Sequence, residues 1–234
     1  MPGIDDAVIM PVFNEEATVR SVLDAVRAFF HGELIVVDDG STDTTPAILA
    51  ERDDILVVRH PENMGYGKSL IDGFTFASFA GLKRVITMDC DGQHEPAHIP
   101  EFFEVMDGTD AQVISGSRYL PGSTGTSEAP ADRREVNERV TAEINRVTGW
   151  GITDAFCGFK GYQLEAIAAL GLSEPGYAMP MELWAKAHRR GYKVVELPVE
   201  RIYCDFGRSF GEELDDPETR FEHYMEVWRK HLEG

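Results

Sequence analysis

The feature that most constrains this sequence is an alternation, over its first half, of short apolar runs with amphipathic helical patterns. The apolar runs of strand length lie at 7–13, 33–39, 55–60, 84–89 and 111–119. Each run except the last is followed by a segment whose apolar side chains recur at helical spacing. Strands that are apolar throughout and separated by helices are typical of a parallel sheet with both faces covered. We therefore expect an α/β fold with a mostly parallel central sheet and helices on both faces.

The second half of the chain continues this pattern less regularly. Its helical and strand-like patterns lie at 133–149, 164–170, 180–190 and 193–203. Before them, residues 120–132 are rich in Gly, Ser, Thr and Pro, a composition that fits both a plain surface loop and a lid over a site. Because apolar patterning resumes at once, we expect one domain over 1–234, with a mobile loop at about 120–132, a mixed sheet in the second half and a C-terminal helix.

Charge and hydropathy exclude several classes of partner. The chain has 41 acidic and 22 basic residues, which gives a formal net charge of −19. Nucleic-acid phosphates bind to basic surfaces, so we expect no nucleic-acid partner. No run approaches the roughly 20 apolar residues of a membrane span, and the N-terminal MPGIDD does not resemble a signal peptide. We expect a cytoplasmic protein without a transmembrane segment, and the sequence leaves its oligomeric state unknown.

In the last segment, Phe221, Tyr224 and Trp228 recur at helical spacing, which predicts a helix packed on the core.

Polar side chains follow four of the predicted strands, at the edge where α/β sheets bind ligands. The segments lie at 14–16, 38–43, 89–93 and 115–119. A turn explains any one of them, but it explains all four together poorly. Asp89 and Asp91 can converge on one hard cation because Gly92 permits the chain to turn, and Gln93 adds a neutral oxygen. The sequence therefore predicts a Mg²⁺ or Mn²⁺ site that also binds substrate phosphates, while His94 fits a surface imidazole better than a ligand.

Five ordered motifs carry a resemblance to a known family. They read PVFNEEATV, IVVDDGSTDTT, NMGYGKSLIDGF, MDCDGQHEP and ISGSRY. Together they resemble family 2 glycosyltransferases of the GT-A fold, and most of all the branch that makes dolichyl- or polyprenyl-phosphate mannose or glucose. The likeness covers about 7–120 closely and 121–210 more loosely. It implies a GT-A (Rossmann-like) domain with a nucleotide-sugar-binding half at 1–120 and an acceptor half at 121–234.

The resemblance implies roles for residues of the donor half. Its nucleotide-sugar-binding positions match Pro11, Phe13, Glu15, Asp38, Asp39 and Asp89. The acidic pair at 38–39 can accept hydrogen bonds from ribose hydroxyls or a base N–H. The resemblance further implies that Asp89, Asp91 and Gln93 bind the divalent metal and the diphosphate of a GDP- or UDP-linked sugar. The motifs do not distinguish between these two bases or specify the sugar.

A site for an acceptor phosphate is implied in the second half. The residues expected to bind this phosphate are Arg118, Arg133, Arg134, Arg201, Arg208 and Ser209. Arg118 matches an arginine that reaches a donor or acceptor phosphate, and either Arg133 or Arg134 resembles a second one. After Ser209 the chain continues FGEELDDPETR, which is acidic where the lipid-phosphate branch is basic or apolar.

The acceptor determines whether a general base is needed. A sugar hydroxyl requires a carboxylate base, whereas a lipid phosphate is already an oxyanion and requires cationic positioning. Asp154 matches an aspartate common in the lipid-phosphate branch, and Glu182 lies near the position of the base in relatives with hydroxyl acceptors. As structural alternatives, Asp154 can cap a turn and Glu182 can be an exposed helix residue. The candidate catalytic residues are thus Asp91, Arg118, Asp154 and Glu182.

Three hypotheses follow from these motifs. The leading one is metal-dependent, inverting transfer of a hexose from a nucleoside diphosphate sugar to polyprenyl phosphate, with the protein peripheral at the inner membrane face. The second keeps the fold but transfers to a soluble hydroxyl acceptor, with Glu182 or Asp154 as base. The third is a nucleotide-sugar-binding protein without turnover, which the intact Asp89 and Asp91 pair disfavours.

Overall fold

The central element of the fold is a sheet of seven strands, seen in a computed structural model that describes residues 5–125, 128–202 and 212–234. The strands are β1 (Asp6–Val12), β2 (Glu33–Asp38), β3 (Leu56–Arg59), β4 (Arg84–Thr87), β5 (Val113–Ser117), β6 (Lys160–Gln163) and β7 (Val194–Pro198). They lie in the order β3-β2-β1-β4-β6-β5-β7, and β6 runs antiparallel to both of its neighbours. This confirms a mostly parallel sheet that becomes mixed in the second half of the chain.

Helices pack on both faces of this sheet. They are α1 (Val19–Phe29), α2 (Thr45–Ala50), α3 (Tyr66–Phe79), α4 (Ile99–Gly108), α5 (Ala131–Thr148), α6 (Leu164–Leu170), α7 (Met179–Arg189) and α8 (Pro217–Glu233). Successive side chains of a strand point to opposite faces. Ile9 and Ile35 therefore belong to a core with residues of α3 and α5–α8, whereas Val8 and Met10 belong to a second core with residues of α1, α2 and α4.

The C-terminal helix packs on the core, as its sequence pattern predicts. Tyr224, Val227 and Trp228 of α8 are buried in the same core as residues of α5 and α7. Among the residues that the structure describes, no helix is long and apolar enough to cross a membrane.

The pairing register brings the polar strand ends to one edge. The last residue of β2, Asp38, pairs with Val12 at the end of β1, and Asp39 N–H then donates to the Val12 carbonyl oxygen at 2.8 Å. β6 lies between β4 and β5, with Lys160 paired to Thr87 on one side and to Ser115 on the other. The antiparallel strand therefore begins at the same edge at which the parallel strands end.

Candidate active site

A cavity of about 620 Å³ lies at this edge of the sheet. Its volume is in the range of small-molecule sites. Of the residues singled out in the sequence, it is lined by Pro11, Phe13, Glu15, Asp39, Asp89, Asp91, Gln93, Arg118 and Arg133. Others are described but lie outside this lining: Asp38, Arg134, Asp154, Glu182 and Arg201. Two more predicted residues, Arg208 and Ser209, lie outside the described residues.

Asp89 is held in place by three neighbours. The Tyr66 hydroxyl donates to Asp89 Oδ1 at 3.0 Å, and His94 Nε2 lies 3.2 Å from Asp89 Oδ2. On the remaining side is Gly158, where a Cβ would lie 2.8 Å from the Asp89 carboxyl carbon, so only glycine leaves room for this carboxylate. Burial on its own would raise the pKa of Asp89, but the contacts with His94 and Tyr66 outweigh it and lower that pKa. His94 is buried, so the expectation of a surface imidazole is wrong.

Asp91 lines the same cavity after a turn in the chain. Its Oδ1 accepts a hydrogen bond from Gln93 N–H at 3.0 Å, and Gly92 between them has a φ of 75°. Burial, together with the negative charge of Asp89, raises the pKa of Asp91. A carboxylate whose charge is disfavoured by burial and by a neighbouring carboxylate is one that a bound cation would stabilise.

The donor set of this end of the cavity fits a hard divalent cation. Asp89, Asp91 and Gln93 offer two carboxylates and an amide oxygen, the chemistry that Mg²⁺ and Mn²⁺ use. Within the described part of the chain, no group of three or more His, Cys, Asp or Glu side chains is arranged to hold a metal. A cation bound here would therefore take its remaining ligands from water or from substrate phosphates.

The adjacent aspartates that follow β2 have different surroundings. Asp39 Oδ1 accepts a hydrogen bond from Met64 N–H at 2.8 Å, and Oδ2 accepts one from Gly65 N–H at 2.9 Å, so this carboxylate fixes the turn that begins α3. Asp38 is fully buried and accepts from Ser41 N–H at 2.9 Å. Neighbouring side chains of an extended segment point in opposite directions, and only Asp39 of this pair lines the cavity.

Arg118 and Asp154 form a bidentate ion pair, in which Asp154 is fully buried and the Arg118 side chain is 15% exposed. Arg118 Nε donates to Asp154 Oδ2 at 2.7 Å, and Nη2 donates to Oδ1 at 3.0 Å. Asn137 Nδ2 adds a hydrogen bond to Oδ1 at 2.9 Å. Burial would raise the pKa of Asp154, but the charge and hydrogen bonds of Arg118, the charge of Lys160 and the hydrogen bond from Asn137 lower it to about 2. A carboxyl with so low a pKa is a weak base. Its two hydrogen bonds from Arg118 instead orient the guanidinium within the cavity.

Glu182 also has a structural role. It is fully buried in the first turn of α7, so the alternative of an exposed helix residue is wrong. Its oxygens accept hydrogen bonds from Ser173 N–H at 2.8 Å and Glu174 N–H at 2.6 Å, and they pair with Lys186 Nζ at 2.7 Å. Burial raises the pKa of Glu182, yet these partners outweigh it and lower that pKa. This carboxylate thus fixes the segment between α6 and α7.

The structure distinguishes the two consecutive arginines that open α5. Arg133 lines the cavity, whereas Arg134 is paired with Glu138 on the surface, 2.8 Å from Nε to Oε1. Arg201, outside the lining, donates its backbone N–H to the Thr124 carbonyl oxygen at 2.8 Å.

Three of the lining residues that the sequence analysis did not single out carry a charged or aromatic side chain of interest here: Lys160, Arg220 and Tyr177. Lys160 begins β6, a strand that the apolar pattern did not predict, although a lone lysine within the largely apolar AFCGFKGY is an unusual residue for a core segment. Arg220 comes from α8 and is buried, with Nη2 2.8 Å from Asp132 Oδ2. Tyr177 stacks on Tyr66, with ring centroids 5.8 Å apart. No local motif marks Arg220 or Tyr177.

Comparison with known proteins identifies relatives over most of the chain. The model of the family described as Glycosyl transferase family 2 matches residues 7–171. The polyprenol monophosphomannose synthase of Mycolicibacterium smegmatis is 30% identical in an alignment of 211 positions that covers 86% of this chain and 79% of that protein.

Solved structures share the fold at lower sequence identity. Glucosyl-3-phosphoglycerate synthase from Mycobacterium tuberculosis, in complex with Mn²⁺, UDP and phosphoglyceric acid, has a TM-score of 0.71 and 20% identity, covering 98% of this chain and 79% of that one. A mannosyltransferase from Pyrobaculum calidifontis, in complex with GDP-Man and Mn²⁺, has a TM-score of 0.65 and 17% identity, covering 98% and 64%. These similarities confirm the expected GT-A fold.

Proposed function

This chain belongs to glycosyl transferase family 2, and on that premise we propose that it transfers a hexose of the mannose or glucose type from a nucleoside diphosphate sugar to polyprenyl phosphate. The proposal rests on one observation: the acidic and the basic side chains that line the cavity come from different halves of the chain. Residues of the first half contribute carboxylates to its lining, and residues after 117 contribute Arg118, Arg133, Lys160 and Arg220. Among the described residues, the second half contributes no carboxylate to this lining.

The donor would bind at the acidic end of the cavity. Asp89, Asp91 and Gln93 would hold Mg²⁺ or Mn²⁺, and this cation, when bound, neutralises charge on the diphosphate. The end of β1 and Asp39 would face the nucleoside, since Phe13 and Glu15 line the cavity beside them. Two solved structures of this fold support a metal-bound donor, because they contain Mn²⁺ with UDP and with GDP-Man.

The reaction proposed is a single displacement at the anomeric carbon of the sugar. An oxygen of the acceptor phosphate forms the new bond to that carbon from the face opposite the diphosphate, and configuration inverts. The bond from the anomeric carbon to the diphosphate oxygen breaks, and its electron pair leaves with the nucleoside diphosphate. The ionised acceptor phosphate carries no proton on the attacking oxygen, so no general base is needed.

The cations of the second half favour a phosphate acceptor over a hydroxyl. A hydroxyl would need a carboxylate within hydrogen-bond reach. The two candidates for that role, Asp154 and Glu182, lie outside the lining and already accept several hydrogen bonds each. The name of the relative from Mycolicibacterium smegmatis, a polyprenol monophosphomannose synthase, supports a polyprenyl phosphate in particular. Such an acceptor would bring the protein to the surface of a membrane.

The test is transfer of radiolabelled hexose from GDP-mannose or UDP-glucose, with Mg²⁺ or Mn²⁺, to polyprenyl phosphate in detergent. We expect label in an acid-labile lipid with one of these donors, and no label with Asp91→Asn. Parallel reactions contain phosphoglyceric acid or a free sugar in place of the lipid. Label in phosphoglycerate alone would replace the lipid with a soluble phosphate acceptor, and label in the free sugar alone would overturn the phosphate acceptor altogether.

A further inference from the structure

Lys160 is a buried lysine that forms no ion pair with a carboxylate among the residues that the structure describes, although Asp154 and Asp89 are close enough to interact with its charge. Its side chain is 3% exposed and lines the cavity. Within the described part of the chain, Nζ makes one hydrogen bond, to the Cys157 carbonyl oxygen, and lies 5.5 Å from the centre of the Trp184 ring. No described carboxylate lies within 4 Å of it, since Lys160 forms no ion pair there. A buried cation outside a direct ion pair is costly, so an anion in contact with this ammonium group would stabilise it.

The two carboxylates that act on the charge of Lys160, Asp154 and Asp89, already make hydrogen bonds to other side chains. Asp154 accepts hydrogen bonds from Arg118 and Asn137, and Asp89 contacts Tyr66 and His94. A carbonyl oxygen and an aromatic face stabilise an ammonium group only in part, because neither carries a full negative charge. Two of the three Nζ protons therefore have no described acceptor.

The register of the sheet places Lys160 between the two ends of the site. It pairs with Thr87 in β4, two residues before Asp89, and with Ser115 in β5, three residues before Arg118. The acidic end of the cavity follows β4, and Arg118 follows β5. A group bound beside Lys160 would thus lie between the proposed metal ligands and the first arginine of the basic end.

We propose that Lys160 binds an anionic phosphate oxygen of a substrate, at the junction between the donor diphosphate and the acceptor phosphate. This inference rests on the proposed function, because only a sugar-nucleotide donor or a phosphate acceptor would bring that oxygen into the cavity. Lys160 in this role complements the bidentate Arg118: its ammonium is a point charge that can contact an oxygen as the bond to the anomeric carbon breaks or forms.

The experiment compares Lys160→Met with the full-length wild type, by calorimetric titration with two probes. The first probe is GDP or UDP with Mn²⁺, and the second is farnesyl phosphate, a short prenyl phosphate. Lys83→Met is the control, because Lys83 is 73% exposed and pairs with Asp5 away from the cavity. We expect the Kd of at least one probe to rise about tenfold or more in Lys160→Met and to stay unchanged in Lys83→Met.

Thermal unfolding separates binding from a structural role. Replacing a buried, unpaired charge by an apolar side chain of similar length is neutral or stabilising, so we expect the melting temperature of unliganded Lys160→Met not to fall. If Lys160→Met does not fold, Lys160→Gln, which keeps a donor for the Cys157 carbonyl, takes its place in the same titrations.

The outcomes identify the source of the phosphate. A higher Kd for the nucleotide alone assigns Lys160 to the donor diphosphate, and a higher Kd for farnesyl phosphate alone assigns it to the acceptor. Unchanged Kd values with a lower melting temperature would overturn the proposal, as would a wild type that binds neither probe. These titrations measure binding without turnover, so they are independent of the transfer assay. If the variant binds a probe more weakly but the wild type makes no lipid product, the proposed function is wrong and Lys160 still binds a phosphate.

Discussion

Gly158 illustrates how one residue without a side chain determines the position of another. A Cβ at Gly158 would overlap the carboxylate of Asp89, so Gly158→Ala must move or rotate Asp89. If Asp89 binds the metal as proposed, kcat/KM should fall about tenfold or more, because a small misplacement of a catalytic group costs that much. The measurement is the rate of sugar transfer, with Mn²⁺ dependence as a second readout, and the apparent Mn²⁺ requirement should rise.

The chain offers a matched control for this substitution. Gly108 ends α4, and a Cβ there would meet no atom within 4 Å. Gly108→Ala should therefore leave both kcat/KM and the Mn²⁺ requirement unchanged. An active Gly158→Ala with wild-type metal dependence would show that the position of Asp89 is not critical.

Asp154 makes a pH-dependent contribution to stability. Its pKa is about 2 in the folded protein, against 3.8 for an ordinary aspartate. A lowered folded-state pKa stabilises the protein at pH values above the unfolded pKa, and this contribution is lost as pH falls through the folded pKa. The shift is worth about 2 kcal/mol. We expect the stability difference between wild type and Asp154→Asn, from urea unfolding, to be constant above pH 5 and to shrink by about that amount toward pH 2.

The same pair of proteins tests whether Asp154 acts through Arg118. Asp154→Asn leaves the half-buried guanidinium of Arg118 without its anion, so a loss of about 3 kcal/mol is expected at neutral pH. A pH-independent difference would contradict the ion pair as the cause of that loss.

At the scale of elements, Glu182 links α7 to the segment before it. Glu182→Gln removes the charge that Lys186 pairs with and weakens the hydrogen bonds to Ser173 and Glu174, so unfolding should cost about 1–3 kcal/mol less. Transfer should fall by less than tenfold, because the carboxylate lies outside the cavity lining. A general base behaves oppositely: transfer would fall by a factor of about 100 or more with little change in stability. Urea unfolding and transfer rates on one preparation decide between the two.

The elements that the sequence predicts well are those with a long, regular apolar pattern. The five apolar runs of the first half correspond to β1–β5, and the helical pattern at 164–170 matches α6. The strand β6 was missed because it has four residues, Lys160 to Gln163, with no apolar run of its own. Its place depends on pairing with β4 and β5, which are distant in sequence, so no local pattern reveals it.

The same limit applies to the site. That Asp89, Asp91 and Arg118 line the cavity could be predicted, because each follows an apolar strand at the edge where α/β sheets bind ligands, while their roles stay predictions. Arg220 enters the cavity from α8, about a hundred residues after Arg118, through packing that only the folded chain shows. Asp38 and Asp39 read as one acidic pair in the sequence, but the alternation of an extended chain separates their side chains.

At the scale of the whole molecule, the order of the strands brings opposite charges together. The first four strands of the sequence lie side by side, and the carboxylates of the cavity lining follow three of them, β1, β2 and β4, while β5 and β7 lie beyond β6. The insertion of β6 therefore separates Asp89 from Arg118 by one strand and places Lys160 between them. A strongly acidic chain thus contributes four cations to the lining of one cavity, where a phosphate can bind without a basic outer surface.

The net charge of −19 yields a prediction about membranes. A polyprenyl phosphate lies in a bilayer, and bilayers that contain anionic lipid repel an acidic protein at long range. The screening length falls from about 10 Å at 0.1 M salt to about 3 Å at 1 M, so added salt weakens this repulsion. We expect binding to vesicles with about 30% anionic lipid to increase severalfold over this range, the reverse of what basic peripheral proteins show. Co-sedimentation measures it, and vesicles of neutral lipid serve as control, because any salt effect on hydrophobic contact appears there too. Binding to anionic vesicles that weakens with salt would instead show that the protein docks through a basic surface.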